Sequence, residues 1–152
     1  MRIVVAGSGG GIGSALVYWL ERDHEVICLQ RQLSKASGRR GRVVIYQDLC
    51  NRWKYNKKAD WVIYAAAQHE QSRIRPTAAN MLKANALGPI RALEYCEHNE
   101  VKGIIYISTV EIHGKIAVPI LREDTPIRDP GWYGATKYIG ERSLEKAGLN
   151  SL

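Results

Sequence analysis

The sequence predicts an α/β domain built on a parallel, doubly wound sheet. Short apolar, β-branched runs alternate with segments of helical periodicity along 152 residues, as expected of strands joined by crossover helices. The runs are apolar on both faces, which is typical of strands buried between two helical layers. A glycine-rich turn directly follows the first run. The length corresponds to one domain, residues 1–152.

Each predicted element follows from its own residues. The runs that predict strands are Arg2–Ala6, Glu25–Leu29, Arg42–Tyr46, Asp60–Ala67 and Gly103–Ser108. Apolar residues at helical spacing predict three helices, which are Ser14–His24, Thr77–Asn99 and Tyr133–Lys146. We expect a kink at Gly88-Pro89, because proline removes a backbone donor. The stretch 114–131 carries three prolines and predicts a long functional loop.

The composition excludes several classes of protein. Lys and Arg number 22 against 15 Asp and Glu, giving +7, and 45% of residues are hydrophobic, as in a soluble globular domain. No apolar run approaches the roughly 18 residues of a membrane span, and the N-terminus lacks a secretory-signal layout. We therefore expect a cytoplasmic protein with no membrane partner. Three widely spaced cysteines and four scattered histidines predict neither a disulfide framework nor a metal site.

Positive residues cluster between Arg31 and Lys58. A nucleic acid, a phosphate-bearing small molecule and a plain solvated surface are the three interpretations. Nucleic acid is the weakest of them, because no recognised motif or aromatic platform accompanies the charge apart from Trp53 and Tyr55.

The glycine-rich segment VVAGSGGGIGSAL stands between a predicted strand and a predicted helix. The first glycine permits a tight turn, the middle ones let the backbone approach a pyrophosphate, and the last lets the helix pack on the strand. The helix N-terminus adds unpaired N–H groups and the positive end of its dipole. We predict a dinucleotide-phosphate site at Gly7, Gly10, Gly11, Ile12 and Gly13.

The end of the second strand, LQR at 29–31, has no acidic residue to accept from a ribose 2′-hydroxyl. Arg31 can instead face a 2′-phosphate, with Lys35 or Arg39 as support. This favours NADP over NAD. Asp48-Leu49, after the third strand, offers an acceptor for the adenine amino group, and the alternative for Asp48 is a turn or cap.

Tyr133 and Lys137 lie four residues apart, which places a phenol and an ammonium on one helical face. A free tyrosine has a pKa of about 10, too high for a base at neutral pH. A nearby cation, from Lys137 and an oxidised nicotinamide, lowers that pKa. Tyr133 could then exchange a proton with a substrate hydroxyl or carbonyl while hydride moves. Ser108-Thr109, ending the fifth predicted strand, can bind the same oxygen.

These segments resemble the N-terminal part of the extended short-chain dehydrogenase/reductases, the NAD-dependent epimerase/dehydratase family. The matching pieces, in family order, are VVAGSGGGIG, Asp48-Leu49, Val62–Ala67, Asn85–Gly88, Ile107–Gly114, Glu123–Pro126 and Tyr133–Lys137. The resemblance implies a three-layer Rossmann fold that binds NAD(P). It also implies a cytoplasmic homodimer, paired through helices such as 77–99 and the one after Tyr133, with a nucleotide sugar as substrate.

The resemblance further implies roles for single residues. Thr109, Tyr133 and Lys137 match the catalytic set, and Lys137 also matches the lysine that binds the nicotinamide ribose. Asn85 matches a helix asparagine that supports the site. The strand end beside the cofactor corresponds to Ala65, Ala66 and Ala67.

The sequence departs from the family at three points. Glu111 matches an acidic position of the nucleotide-sugar dehydratases, but Val110 replaces the usual Asp, which disfavours a dehydratase. His113 stands where the family has Tyr and is expected to be an ordinary loop residue. Family members continue through further strands into a small substrate domain, so we expect a C-terminally truncated fold with no strand after the last helix and with an exposed sheet edge. The alternative to an enzyme is therefore a non-catalytic NAD(P)-binding fragment or regulatory module.

Overall fold

The computed structural model describes residues 1–32, 42–72, 74–148 and the backbone of 150–151. Six parallel strands form one sheet in the order β3-β2-β1-β4-β5-β6. The strands are β1 (Arg2–Ala6), β2 (Glu25–Gln30), β3 (Val43–Tyr46), β4 (Trp61–Tyr64), β5 (Gly103–Tyr106) and β6 (Asn150–Ser151). The order changes direction between β1 and β4, where a doubly wound sheet opens its ligand crevice.

Helices cover both faces of the sheet. They are α1 (Gly11–Leu20), α2 (Ala78–Leu82), α3 (Gly88–His98) and α4 (Trp132–Glu145). Alternate residues of β1 belong to two separate hydrophobic clusters. Val4 packs with Tyr95 and Leu144 on one face of the sheet. Val5 packs with Val17 on the other face. The predicted three-layer Rossmann fold is confirmed. None of the helices in the described ranges is long and apolar enough to cross a membrane.

The strands β4 and β5 are shorter than the sequence predicts. Ala65 N–H still donates to Ala6 O, and Ile107 N–H to Tyr64 O, but the chain then leaves the sheet. The apolar run 65–67 therefore forms the loop after β4 rather than more strand. Small apolar residues occur both in buried strands and where two backbone segments approach closely. The apolar run alone therefore could not distinguish a loop from a strand at 65–67.

The predicted kink near Gly88-Pro89 is a π-helical turn over Lys83–Leu87, between α2 and α3. Gly88 N–H donates to the carbonyl five residues back, and Pro89 has no N–H to donate. The carbonyls of Ala84 and Asn85 therefore lose their ordinary helical partners.

Two tyrosines of neighbouring strands satisfy this π-helical turn. The Tyr64 hydroxyl donates to Ala84 O at 3.0 Å, and the Tyr106 hydroxyl donates to Asn85 O at 2.9 Å. A Cβ on Gly88 would lie 1.9 Å from the Tyr64 hydroxyl oxygen. The turn is thus packed directly on the ends of β4 and β5.

The prediction that no strand follows the last helix is wrong. Backbone of β6 pairs in parallel with Gly103 and Ile104 of β5. Between β5 and α4 lies a 3₁₀ turn, Val110–His113, which the sequence did not predict. The loop 114–131 is confirmed as irregular, and the buried His113 holds it through a hydrogen bond from Nδ1 to Thr125 O at 2.8 Å.

Candidate active site

The glycine turn between β1 and α1 closes as the sequence predicts. Gly7 has φ +88°, and its N–H donates to Leu29 O at 2.8 Å, which ties the turn to the end of β2. A Cβ on Gly7 would lie 2.5 Å from Ala66 N, and one on Gly13 would lie 2.1 Å from Gly7 O. Side chains at either position would push backbone apart, so both must be glycine.

The N-terminus of α1 presents free donors. The first helical hydrogen bond runs from Ser14 N–H to Gly10 O, so no residue in the described ranges accepts from the N–H groups of Gly11, Ile12 and Gly13. The first turn holds no acidic residue, and a Cβ on Gly11 would meet nothing within 4 Å. Open N–H groups at a positive helix end suit a phosphate.

Gln30 at the end of β2 supports the glycine turn, a contact that the sequence did not reveal. The buried Ser8 hydroxyl donates to Gln30 Oε1 at 3.1 Å, and Gln30 Nε2 donates to Gln32 O at 2.9 Å. Gln30 itself is buried. The Gln30 side chain therefore makes its hydrogen bonds within the protein and is not exposed to a ribose.

The residues predicted to bind the adenosine half of the cofactor lie in different surroundings. Arg31 is exposed next to this turn, whereas Lys35 and Arg39 lie outside the described residues. Asp48 Oδ1 accepts from Cys50 N–H at 3.0 Å, which fits the turn interpretation of Asp48.

Leu49 and the alanines after β4 also take different places. Leu49 is buried in the larger hydrophobic cluster. Ala65 and Ala66 are half-buried against the glycine turn, and Ala67 is exposed. Only the alanines face the crevice between β1 and β4.

Asn85 is a buried connector rather than a surface of the crevice. It is 0% exposed. Its Oδ1 accepts from Gln68 N–H at 2.8 Å, and its Nδ2 donates to Gln68 O and Thr136 Oγ1. Asn85 thereby joins the loop after β4 to α4, which agrees with the supporting role implied by the resemblance and leaves it no exposed surface for a cofactor.

Lys137 lies buried on α4, with its ammonium against the end of β5. Nζ donates to Ile107 O and lies 3.9 Å from the centroid of the Tyr106 ring, a cation–π contact. Burial lowers the pKa of Lys137 from 10.5 to about 8, and Glu141 partly opposes this. The sequence did not predict the part played by Tyr106.

Tyr133, one turn before Lys137, is half-buried. Burial, and then the Glu111 carboxylate, raise its pKa above the usual 10. This direction is the reverse of the one predicted from the Tyr133–Lys137 spacing. The reason is that burial, the larger cause, and the Glu111 carboxylate both disfavour the phenolate, while Lys137 directs its ammonium to the Ile107 carbonyl.

Of the two hydroxyls after β5, one is already engaged. Ser108 Oγ donates to Glu141 Oε2 at 2.7 Å. Thr109 Oγ1 accepts from Glu111 N–H at 3.3 Å, capping the 3₁₀ turn, and no described residue accepts from its O–H. Thr109 is therefore the hydroxyl left to donate to a ligand.

A cleft of about 800 Å³ opens beside β5 and the second half of α4, lined in part by Ser108, Thr109 and Glu141. It reaches Thr109 but is not lined by Tyr133 or Lys137. No residue of the glycine turn lines this cleft. No group of His, Cys, Asp or Glu in the described ranges could hold a metal ion.

Comparison with known proteins finds matches along nearly the whole chain. The sequence profile of the NAD dependent epimerase/dehydratase family matches residues 3–150. The dTDP-glucose 4,6-dehydratase of Streptomyces niveus is 25% identical over 159 residues, covering 93% of this chain and 47% of the relative.

Solved structures show the same fold. A UDP-galactose 4-epimerase is similar with a TM-score of 0.89 and 26% identity, over 99% of this chain and 54% of the epimerase. The Bordetella bronchiseptica enzyme WbmG, solved in complex with NAD, has a TM-score of 0.82 and 23% identity, over 99% of this chain and 51% of WbmG. The chain spans about half the length of each of these relatives.

Proposed function

The chain belongs to the NAD-dependent epimerase/dehydratase family, and on that premise we propose that residues 1–152 form the NAD(P)-binding Rossmann domain of an enzyme acting on a nucleotide sugar. One observation carries the proposal. The open N–H groups of α1 and the set Thr109, Tyr133 and Lys137 follow strands of one parallel sheet, and the carboxyl ends of those strands meet at a single edge.

The residues of the glycine turn fit a dinucleotide. The N–H groups of Gly11–Gly13 would hold its pyrophosphate, and Ala65–Ala67 would flank it, because the backbone of Ala65 and Ala66 lies against Gly7. A bound nicotinamide supplies the hydride acceptor or donor of the reaction. Lys137, whose ammonium is held by Ile107 O, would bind the nicotinamide ribose.

Tyr133 would be the residue that exchanges a proton with the substrate. Its raised pKa leaves it a phenol at neutral pH, so it first acts as an acid toward a substrate carbonyl. It acts as a base only when further positive charge comes near and stabilises the phenolate. The Thr109 O–H would donate to the same substrate oxygen, holding it at Tyr133.

The preference for NADP is the finer part of the proposal. It rests on the exposed Arg31 and on a β2 end without an acid. The similar structure WbmG holds NAD, so the comparisons do not support the preference.

The substrate class and the assembly are proposals of the same kind. The relatives named above are a UDP-galactose epimerase and a dTDP-glucose dehydratase, which favours a nucleotide sugar here. Leu82 and Ile139, on the helices expected to pair, are 47% and 45% exposed, which favours a homodimer. The cytoplasmic location is proposed from the family resemblance alone. The second candidate is a non-catalytic NAD(P)-binding module, and it is favoured by the position of the cleft beside β5, which neither Tyr133 nor Lys137 lines.

A titration of the chain with NADPH and NADH, followed by nicotinamide fluorescence, tests cofactor binding. We expect NADPH to bind more tightly, and Arg31→Ala to weaken NADPH about tenfold, the loss of one charge-assisted contact of about 1.4 kcal/mol. Arg52→Ala, an exposed arginine in the same basic segment, is the matched control and should change nothing. Equal affinities would overturn only the NADP preference, whereas no binding of either would overturn the proposed function.

Turnover separates the two candidates. We expect oxidation or epimerisation of UDP-glucose or UDP-galactose by the chain, and Tyr133→Phe should remove it while leaving NADH binding intact. Turnover that survives Tyr133→Phe would contradict the acid–base assignment. Cofactor binding without any turnover in the unmodified chain would favour the non-catalytic module.

A further inference from the structure

Two loops from neighbouring strands meet beside Tyr133. His69 lies in the loop after β4, and Glu111 lies in the 3₁₀ turn after β5. Their side chains are in contact, with His69 Nε2 at 3.1 Å from Glu111 Oε1. Neither spacing nor periodicity in the sequence connects the two residues.

The hydrogen bonds of its own loop orient the His69 ring. Gln71 N–H donates to His69 Nδ1 at 2.9 Å, and His69 N–H donates to Ser72 Oγ at 3.2 Å. A neutral imidazole that accepts at Nδ1 carries its proton on Nε2. His69 therefore donates to the Glu111 carboxylate even without a second proton.

The same ring packs on the reactive tyrosine. The centroids of the His69 and Tyr133 rings are 4.2 Å apart, with the planes at 62°. Glu111 is the charged group that acts on the Tyr133 phenol, and Tyr106 faces Tyr133 from β5. Lys137 lies one turn further along the same helix as Tyr133.

We propose that His69 is a positioning residue, whose imidazole holds the Glu111 carboxylate and the Tyr133 ring in one arrangement at the open end of the site. The proposal rests on the role given to Tyr133 above. Its consequence is that the carboxylate stays beside the phenol and keeps Tyr133 in the acid form before a cation arrives. Without the His69 N–H, the Glu111 side chain, about half exposed, would turn toward water.

The test measures the pKa of Tyr133 directly, with no cofactor and no turnover. Tyrosine labelled with ¹³C at Cζ reports phenol ionisation by NMR, and the Tyr133→Phe spectrum assigns the signal. The titration runs through the alkaline range. Lys137, with a pKa of about 8, has largely lost its proton there and adds little change of charge.

Three variants separate the two contacts of His69. Glu111→Gln removes the carboxylate and should lower the pKa of Tyr133. His69→Phe keeps a ring against Tyr133 but removes the donor, and it should lower the pKa to the same extent. His69→Gln keeps an N–H donor and should stay near the unmodified protein.

The double variant His69→Phe/Glu111→Gln completes the cycle and should show no further drop, because both changes remove one interaction. Glu70→Gln, which removes the same charge from the next residue of the loop, is the control and should leave the pKa of Tyr133 unchanged. Far-UV circular dichroism at each pH confirms that every variant stays folded, and His69→Gln keeps the test open if His69→Phe does not fold.

Two results would overturn the inference. If Glu111→Gln lowers the pKa of Tyr133 but His69→Phe does not, Glu111 holds its place without His69. If Glu111→Gln has no effect, the carboxylate does not face the phenol. Either result leaves the proposed function standing, because NADH binding and turnover are measured separately.

Discussion

The two sides of the proposed active site are held in different ways. On the buried side, Asn85 and Lys137 bond to main-chain atoms and to residues that are themselves enclosed. On the open side, Thr109, Glu111 and Tyr133 are at least partly exposed and are held by contacts between loops. The buried side is therefore part of the fold, and changes there should act on stability whatever else they do, whereas changes on the open side should act mainly on proton chemistry.

On the buried side, the largest expected effect is the change of stability with pH that follows from the ionisation of Lys137. Its pKa lies at about 8 when folded, against 10.5, so the unfolded chain binds more protons between these values. Stability should rise with pH through that window by about 3 kcal/mol, and it should not change further below pH 8 on this account. Lys137→Met removes the buried charge and should stabilise the chain at pH 7.

Urea unfolding at pH 7 and at pH 10.5 measures this effect. The buried cysteines titrate in the alkaline range in both proteins, so the difference between Lys137→Met and the unmodified chain isolates the ammonium. That difference should shrink as the pH rises. A difference independent of pH would show that the ammonium is well solvated in the folded protein.

Gly140→Ala tests how closely α4 packs on the π-helical turn. A Cβ there would lie 2.3 Å from Asn85 O and 2.7 Å from the Tyr106 hydroxyl oxygen. Because main chain and a packed ring cannot both move, we expect a loss of about 2 kcal/mol in urea unfolding. Gly131→Ala, at the N-cap of the same helix with nothing within 4 Å of its Cβ, should cost less than about 1 kcal/mol. Equal costs would mean that α4 moves freely against the turn.

The hydroxyls that satisfy the π-helical turn should each contribute a similar amount. Tyr106→Phe leaves Asn85 O without its donor and Tyr64→Phe does the same to Ala84 O. Each should lower the free energy of unfolding by about 1 kcal/mol. Tyr138→Phe on α4 is the control. If Tyr106→Phe costs nothing, water or another donor reaches the carbonyl, and the turn is looser than its packing indicates.

The same contrast explains what the sequence could predict. Apolar runs predicted the strands of the sheet because burial on both faces leaves a composition signal, and Gly7 and Gly13 were found because their backbone demands a residue without Cβ. Tyr133 and Lys137 were paired because helix geometry alone sets their spacing.

The rest depended on distant parts of the chain. A π-helical turn shifts the backbone hydrogen bonds by one residue and leaves the apolar spacing nearly unchanged, so nothing in the sequence of 83–87 predicted it. The hydroxyls that donate to this turn, those of Tyr64 and Tyr106, come from other elements. The contact between His69 and Glu111 depends on which loops the strand order brings together. The direction in which the pKa of Tyr133 shifts could not be predicted from the sequence. Burial and Glu111 set that direction, and not Lys137 four residues further along the helix.

Thr109 gives the smallest change in stability and the cleanest separation of the two sides. Thr109→Val removes an exposed cap of the 3₁₀ turn, which should cost about 0.5 kcal/mol in urea unfolding, because water can replace the lost acceptor. On the proposed function it also removes the O–H that steadies the substrate oxygen, so turnover should fall roughly a hundredfold while NADH binding is unchanged. Thr109→Ser keeps both the cap and the donor and should retain most of the turnover. A variant that loses stability and turnover together would place Thr109 on the buried side, with a role in the fold rather than in the chemistry.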